Sequence, residues 1–144
     1  LREPGREDKE TIASGTRAAV RGGFTTVACM PNTEPAIDSP KAVELVKEII
    51  KRDALCNVLI VGAITRSRLG RELSDHAGMR KAGAVAISDD GSSVENGTLM
   101  GEALQSSAAN KLPVRPNPVA TSSKIRSVLY FRVSSLAREI YPFG

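Results

Sequence analysis

Helix-like and strand-like patterns alternate over the first 114 residues, and this alternation restricts the chain to a small number of folds. Helical periodicity is found in segments 7–21, 40–52, 74–82 and 98–109. A short apolar or β-branched run follows each of them, in segments 24–30, 57–61, 84–88 and 112–114. Nearly continuous apolar runs indicate strands that are covered on both faces. The order therefore predicts an α/β fold with a parallel sheet wrapped by helices, in either a barrel or a doubly wound arrangement.

Several of the predicted helix boundaries carry capping residues. Ser39 and Pro40 form an N-cap and N1 pair at the start of the second helix. Gly22 and Gly23 provide a glycine exit for the first helix. In the second helix one apolar stripe is expected to face the core, and it consists of Val43, Val46, Ile49 and Ile50.

The number of strand–helix units is too small for a closed barrel. About four units are present, whereas a closed (β/α)8 barrel needs about 250 residues. Part of a barrel exposes open sheet edges, so we expect it to be unstable alone or prone to associate. After Val114 the pattern breaks at Arg115-Pro116-Asn117-Pro118. We therefore expect a folded region over 1–114 and a divergent basic tail over 115–144.

Charge and composition argue against several functional classes. Basic and acidic residues balance over 1–114, so the whole formal charge of +4 lies in 115–144. Because only 3% of the residues are aromatic, there is little to stack on bases, and we expect no nucleic-acid binding. No apolar run approaches a membrane span and no signal-peptide pattern is present, so we expect a cytoplasmic protein without membrane contact. Cys29 and Cys56 lie on separate apolar runs and are expected to be buried, reduced thiols.

The loop at the start of the chain contains a candidate ligand-binding arginine. Arg2 precedes Pro4 and Gly5, which restrict the loop, and its guanidinium group is suited to the carboxylate of a small anionic substrate. A surface salt bridge with Glu7 or Asp8 is the alternative interpretation.

Three further candidate residues follow predicted strands, where the active sites of βα folds lie. Asn32 follows segment 24–30 after Pro31, and its side-chain amide can donate one hydrogen bond to a ligand and accept another from it. An ordinary Asx-turn is the alternative. Asp89 and Asp90 follow segment 84–88 and could bind a divalent metal, although Asp-Gly is also a routine turn.

The remaining polar features favour structural interpretations. His76, the only histidine, lies in a polar stretch and is expected to face solvent on a helix. Segment 66–71 carries three arginines and could meet phosphate, but a solvated loop is the expected outcome. No metal, nucleophile or phosphate-loop motif occurs in the chain.

Taken together, six short motifs resemble those of bacterial dihydroorotases, in the same order and with similar spacing over residues 1 to about 114. The motifs are Leu1-Arg2-Glu3-Pro4-Gly5, Lys9-Glu10-Thr11-Ile12, Gly22-Gly23-Phe24-Thr25-Thr26, Met30-Pro31-Asn32-Thr33, Gly62-Ala63-Ile64-Thr65 and Ser88-Asp89-Asp90-Gly91. Allantoinases and hydantoinases share the Gly-Gly-Phe/Val-Thr-Thr region, whereas Lys9-Glu10-Thr11 and Pro31-Asn32-Thr33 favour dihydroorotase.

The resemblance implies a zinc-dependent cyclic amidohydrolase on a TIM barrel, which interconverts N-carbamoyl-L-aspartate and L-dihydroorotate in de novo pyrimidine synthesis. Carried over by position, Arg2 and Asn32 would bind the substrate carboxylate, and Asp90 would ligate the metal. Asp89 would be the neighbour of the ligand. The expected fold is thus a partial (β/α)8 barrel of about four units.

This sequence also departs from the family pattern. The His-x-His metal pair of the family would lie just before Leu1, and the later histidines and the acid/base aspartate have no counterpart in the sequence. We therefore expect a dihydroorotase fragment that neither retains zinc nor turns over substrate alone. The alternatives are a non-catalytic dihydroorotase-like partner of aspartate transcarbamoylase, or another cyclic amidohydrolase such as a hydantoinase or allantoinase. A homo-oligomer is a further expectation for a chain with open sheet edges.

Overall fold

The computed structural model describes residues 1–115, which form a small parallel sheet covered by helices. The strands are β1 (Thr26–Cys29), β2 (Asn57–Gly62) and β3 (Ala86–Ile87). The helices are α1 (Ile12–Arg21), α2 (Pro40–Asp53), α3 (His76–Ala82) and α4 (Gly97–Asn110), and a single 3₁₀ turn spans Arg66–Arg68. The α/β alternation expected from the sequence is confirmed. The expected tail over 115–144 lies outside the described residues except for Arg115.

The three strands are parallel and lie in the order β1-β2-β3. Thr26 is paired with Asn57 and Cys29 with Ile60, while Val61 is paired with Ala86. Val114 forms an isolated parallel bridge to Ile87, so the expected strand 112–114 is reduced to one bridge. The parallel order places the carboxyl ends of all strands at one edge of the sheet, which we call the C-terminal edge.

Helix α1 begins later than the expected residue 7, because Thr11 caps it. The Thr11 hydroxyl accepts a hydrogen bond from the Ser14 amide, and the Ser14 side chain accepts one from the Thr11 amide. The Glu7 carboxylate instead accepts a hydrogen bond from the Gly5 amide at 2.8 Å. Residues 7–10 therefore belong to the preceding loop, although their charges alone are compatible with a helix.

Helix α2 has the boundaries that its sequence predicts. The Ser39 side chain accepts a hydrogen bond from the Ala42 amide, and Pro40 occupies the first turn. The side chains of Val43, Val46 and Ile49 are buried against the sheet, and Ile50 packs beside them. Burial of such side chains contributes roughly 1.5 to 3 kcal/mol each. The predicted apolar stripe is therefore confirmed.

Both cysteines are free thiols, but only Cys29 is fully buried, and Cys56 is half-buried. Burial at the end of β1 raises the pKa of the Cys29 thiol to about 11, because water no longer stabilises its thiolate. The expectation of two buried thiols is thus correct for one of them. Among residues 1–115, no helix is long and apolar enough to span a membrane.

Candidate functional site

Two of the predicted site residues are in direct contact at the C-terminal edge of the sheet. The Asn32 side-chain amide donates a hydrogen bond of 2.6 Å to a carboxylate oxygen of Asp90. Asn32 follows β1 and Asp90 follows β3, so the sheet brings together residues 58 positions apart. Both side chains are half-buried. A local Asx-turn does not account for this contact, because the hydrogen bond joins two different loops.

The loop that follows β2 lies between the Asn32 and Asp90 loops and binds the carboxylate of Asp89, the residue before Asp90. One oxygen of Asp89 accepts hydrogen bonds from the amides of Ile64 at 2.8 Å and Thr65 at 3.1 Å. Its other oxygen accepts a hydrogen bond from the Thr65 hydroxyl. Asp89 is 2% exposed. Because three donors satisfy this buried carboxylate, Asp89 links the loops after β2 and β3 and does not present its carboxylate at the C-terminal edge.

The turn that continues from Thr65 also reaches the Asp90 loop. An Arg68 guanidinium nitrogen donates a hydrogen bond of 2.6 Å to the backbone carbonyl of Asp90. Ser67 and Arg68 have φ values of 49° and 57°, in the left-handed region that non-glycine residues seldom adopt. The expectation of a solvated loop is therefore wrong for Arg68, which is half-buried against the candidate site.

The first loop of the chain packs on the loop that carries Asn32. The Glu34 amide donates a hydrogen bond of 3.0 Å to the Pro4 carbonyl. Gly5 has a φ of 88°, and a side chain there would overlap the Glu34 backbone carbonyl. Glycine is therefore required at this position by both conformation and space. The loop that bears Arg2 is thus fixed beside the Asn32 loop.

Arg2 itself is exposed. Its side chain makes no hydrogen bond or ion pair with any residue between 1 and 115, so the structure does not bring it into polar contact with Asn32 or Asp90. The alternative salt bridge with Glu7 or Asp8 is also not formed. Glu7 accepts a hydrogen bond from the Gly5 amide, and the Asp8 carboxylate lies 3.8 Å from the Arg6 guanidinium. The Arg2 guanidinium group is thus not engaged by the side chains of residues 1–115 and can contact a ligand.

His76 is buried, and the prediction of a solvent-facing side chain is wrong. It is 2% exposed, its Nε2 donates to the Ile64 carbonyl at 2.8 Å, and its Nδ1 is hydrogen-bonded to the Ser106 hydroxyl at 3.0 Å. The residue sits at the first turn of α3, where α4 covers it. Its polar sequence neighbours conceal this, because the partners lie 12 and 30 residues away.

The described residues do not assemble a metal centre by themselves. Between residues 1 and 115 no group of three or more His, Cys, Asp or Glu side chains is arranged to hold a metal ion. Asp89 is fully engaged by Ile64 and Thr65, and both His76 nitrogens are engaged. Asp90 can supply one carboxylate ligand, so this donor set does not fit a complete zinc site.

Comparison with known proteins gives a consistent set of relatives. Residues 1–116 match the family described as dihydro-orotase-like. A dihydroorotase of Elusimicrobium minutum is 54% identical over 107 residues, which cover 74% of this chain and 25% of the relative. A dihydroorotase of Brevibacillus brevis is 50% identical over 108 residues, 75% of this chain and 25% of the relative. A dihydroorotase of Aquifex aeolicus is 45% identical over 114 residues, 79% of this chain and 27% of the relative. The chain therefore spans about a quarter of the length of these relatives.

Proposed function

Because this chain belongs to the dihydroorotase-like family, we propose that it forms part of the active site of a dihydroorotase. The reaction is the interconversion of N-carbamoyl-L-aspartate and L-dihydroorotate in pyrimidine synthesis. The observation that carries the proposal is the 2.6 Å contact between Asn32 and Asp90 at the C-terminal edge of a parallel sheet. Active sites of (β/α) folds lie at this edge, because the loops after the strands meet there.

Each predicted site residue has one proposed role. Arg2 binds the substrate carboxylate through its guanidinium group, which suits planar oxygen pairs. Asn32 binds the same carboxylate, since its second amide hydrogen and its carbonyl oxygen are not used by Asp90. Asp90 is a metal ligand, and zinc is the proposed metal. Residues 1–115 contribute one ligand of that site, so further ligands have to come from elsewhere.

The proposed architecture is about half of a (β/α)8 barrel. The order of strands and helices supports this, because α2 connects the parallel strands β1 and β2, and α3 connects β2 and β3. The outer edge of β1 pairs with no other strand among residues 1–115, so it would be completed by a further strand, a second copy or an aspartate transcarbamoylase partner. A cytoplasmic location accords with the free thiols of Cys29 and Cys56.

A chimeric enzyme tests this proposal. The matching segment of the Elusimicrobium minutum dihydroorotase is replaced by the corresponding residues of this chain, which are 54% identical. Hydrolysis of L-dihydroorotate by the purified chimera is then compared with that of the unaltered relative. We expect turnover, because the proposed contacts at Asn32 and Asp90 come from this segment. A folded chimera without turnover supports the scaffold alternative, and turnover of hydantoin or allantoin alone supports another cyclic amidohydrolase.

A further inference from the structure

We propose that the turn formed by residues 64–70 is a clamp that positions Asp90, with Asp89 and Arg68 as its two anchor points. The inference rests on the proposed role of Asp90, because it concerns how that carboxylate is oriented. None of the six motifs that carry the resemblance includes Arg68. The clamp therefore adds positioning residues to the proposed site.

The first anchor holds the residue before Asp90. The buried Asp89 carboxylate receives the amides of Ile64 and Thr65 and the hydroxyl of Thr65, all from the loop after β2. The carbonyl of Ile64 is held in turn by the His76 ring at 2.8 Å. The loop after β3 is thus attached to the β2 loop through a fully satisfied charge.

The second anchor holds Asp90 itself. Arg68 donates to its backbone carbonyl at 2.6 Å, while the Asp90 carboxylate is left to Asn32. The backbone carbonyl of Asp90 and the side chain of the preceding residue, Asp89, are therefore both held by hydrogen bonds. A carboxylate on such a restrained backbone keeps its direction better than one on a free loop.

The conformation of the turn supports a role beyond stability. Ser67 and Arg68 are consecutive residues with positive φ, and the Arg68 Nε is buried without a hydrogen-bond partner among residues 1–115. Both features are unfavourable by themselves, and such strain is typically retained where a site needs it. The turn is nevertheless well fixed, because Asp38 accepts from the Ser67 amide and Thr65 accepts from the Gly70 amide, each at 2.9 Å.

Amide exchange and side-chain NMR on the 144-residue chain test the clamp. The variant Arg68→Met removes the donor, Arg68→Lys keeps a cationic donor, and Arg66→Met is the matched control in the same turn. Arg66 is exposed, and among residues 1–115 its one ion pair is with exposed Glu72. The reporters are the Asn32 side-chain amide and the Ser92 amide, which donates to the Asp89 carbonyl at 2.7 Å. The Ser88 amide, bonded to Gly62 in the sheet, is the internal reference.

We expect Arg68→Met to shift the Asn32 side-chain resonances and to speed exchange of the Ser92 amide about tenfold, the factor that accompanies the loss of one hydrogen bond. Exchange of the Ser88 amide stays unchanged, Arg68→Lys restores part of the protection, and Arg66→Met has no effect. Equal acceleration at Ser88 and Ser92, or no change at Asn32, would overturn the proposal. If Arg68→Met fails to fold, Arg68→Lys decides. Shifted Asn32 resonances and partly faster Ser92 exchange, with Ser88 unchanged, support the clamp. Signals that are wild-type throughout, or shifted throughout the sheet, refute it. None of these signals requires turnover, so a failure of the clamp proposal can be distinguished from a failure of the proposed reaction.

Discussion

Replacing Thr65 by valine is expected to destabilise the protein, although valine has almost the same shape. The Thr65 side chain is fully buried, donates to Asp89 and accepts from the Gly70 amide at 2.9 Å. Valine can make neither bond. A hydrogen bond to a charged group contributes about 1.5 to 3 kcal/mol, and a neutral one about 0.5 to 1.5 kcal/mol. The expected loss in the free energy of unfolding is therefore about 2 to 4 kcal/mol, a large part of the stability of an ordinary domain.

Urea unfolding followed by circular dichroism measures this loss. With a slope of about 2 kcal/mol per molar urea, the midpoint should fall by about 1 to 2 M. Thr26→Val is the control, because Thr26 lies on β1 and its side chain makes no hydrogen bond within residues 1–115. Valine is favourable in strands, so the control should stay within about 0.5 kcal/mol of the wild type. A Thr65→Val variant as stable as the control would refute the role assigned to the buried Asp89 network.

Three further predictions concern the loop contact at Gly5 and the two thiols. Gly5→Ala should destabilise the protein more than Gly23→Ala in urea unfolding, because both residues have positive φ but only Gly5 abuts Glu34; equal losses would contradict this. The pKa of Cys29 is raised from 9.0 to about 11 by burial, so the neutral thiol stabilises the fold fully below pH 9. Between pH 9 and pH 11 the Cys29 thiol ionises in the unfolded chain but not in the folded one, so the free energy of unfolding falls by about 3 kcal/mol. Cys29→Ala should remove this decline, and a decline that persists in the variant would contradict the prediction. Iodoacetamide should label half-buried Cys56 faster than Cys29, and the reverse order would contradict the packing.

The fold could be predicted from the sequence where local patterns decide the structure. The Ser39 and Pro40 cap and the apolar stripe of α2 depend on neighbours within one helix, and both are as expected. Strand β3 is shorter than segment 84–88, because only Ala86 and Ile87 are paired with residues of β2, although the flanking Val85 and Ser88 amides also donate to it. Strand ends depend on partner strands that the local sequence does not show.

The site could be predicted in part, for the same reason. The meeting of Asn32 and Asp90 follows from parallel strands, since their carboxyl ends share one edge. The burial of His76 and the contact of Arg68 could not be derived, because they depend on partners in other elements and on an uncommon backbone conformation. A polar residue among polar neighbours is predicted to be exposed, unless its hydrogen-bond partners in other elements are known.

The central claim, that Arg2, Asn32 and Asp90 form one substrate and metal site, is tested most directly by the kinetics of site variants in the chimeric dihydroorotase. Arg2→Ala and Asn32→Ala should raise KM by about 10-fold or more, because each removes a hydrogen bond to a charged group. Asp90→Ala should lower kcat by about 100-fold or more. Arg71→Ala, at an exposed arginine in the same segment, should leave both constants unchanged. If Asp90→Ala is as active as Arg71→Ala, the account of this site is contradicted.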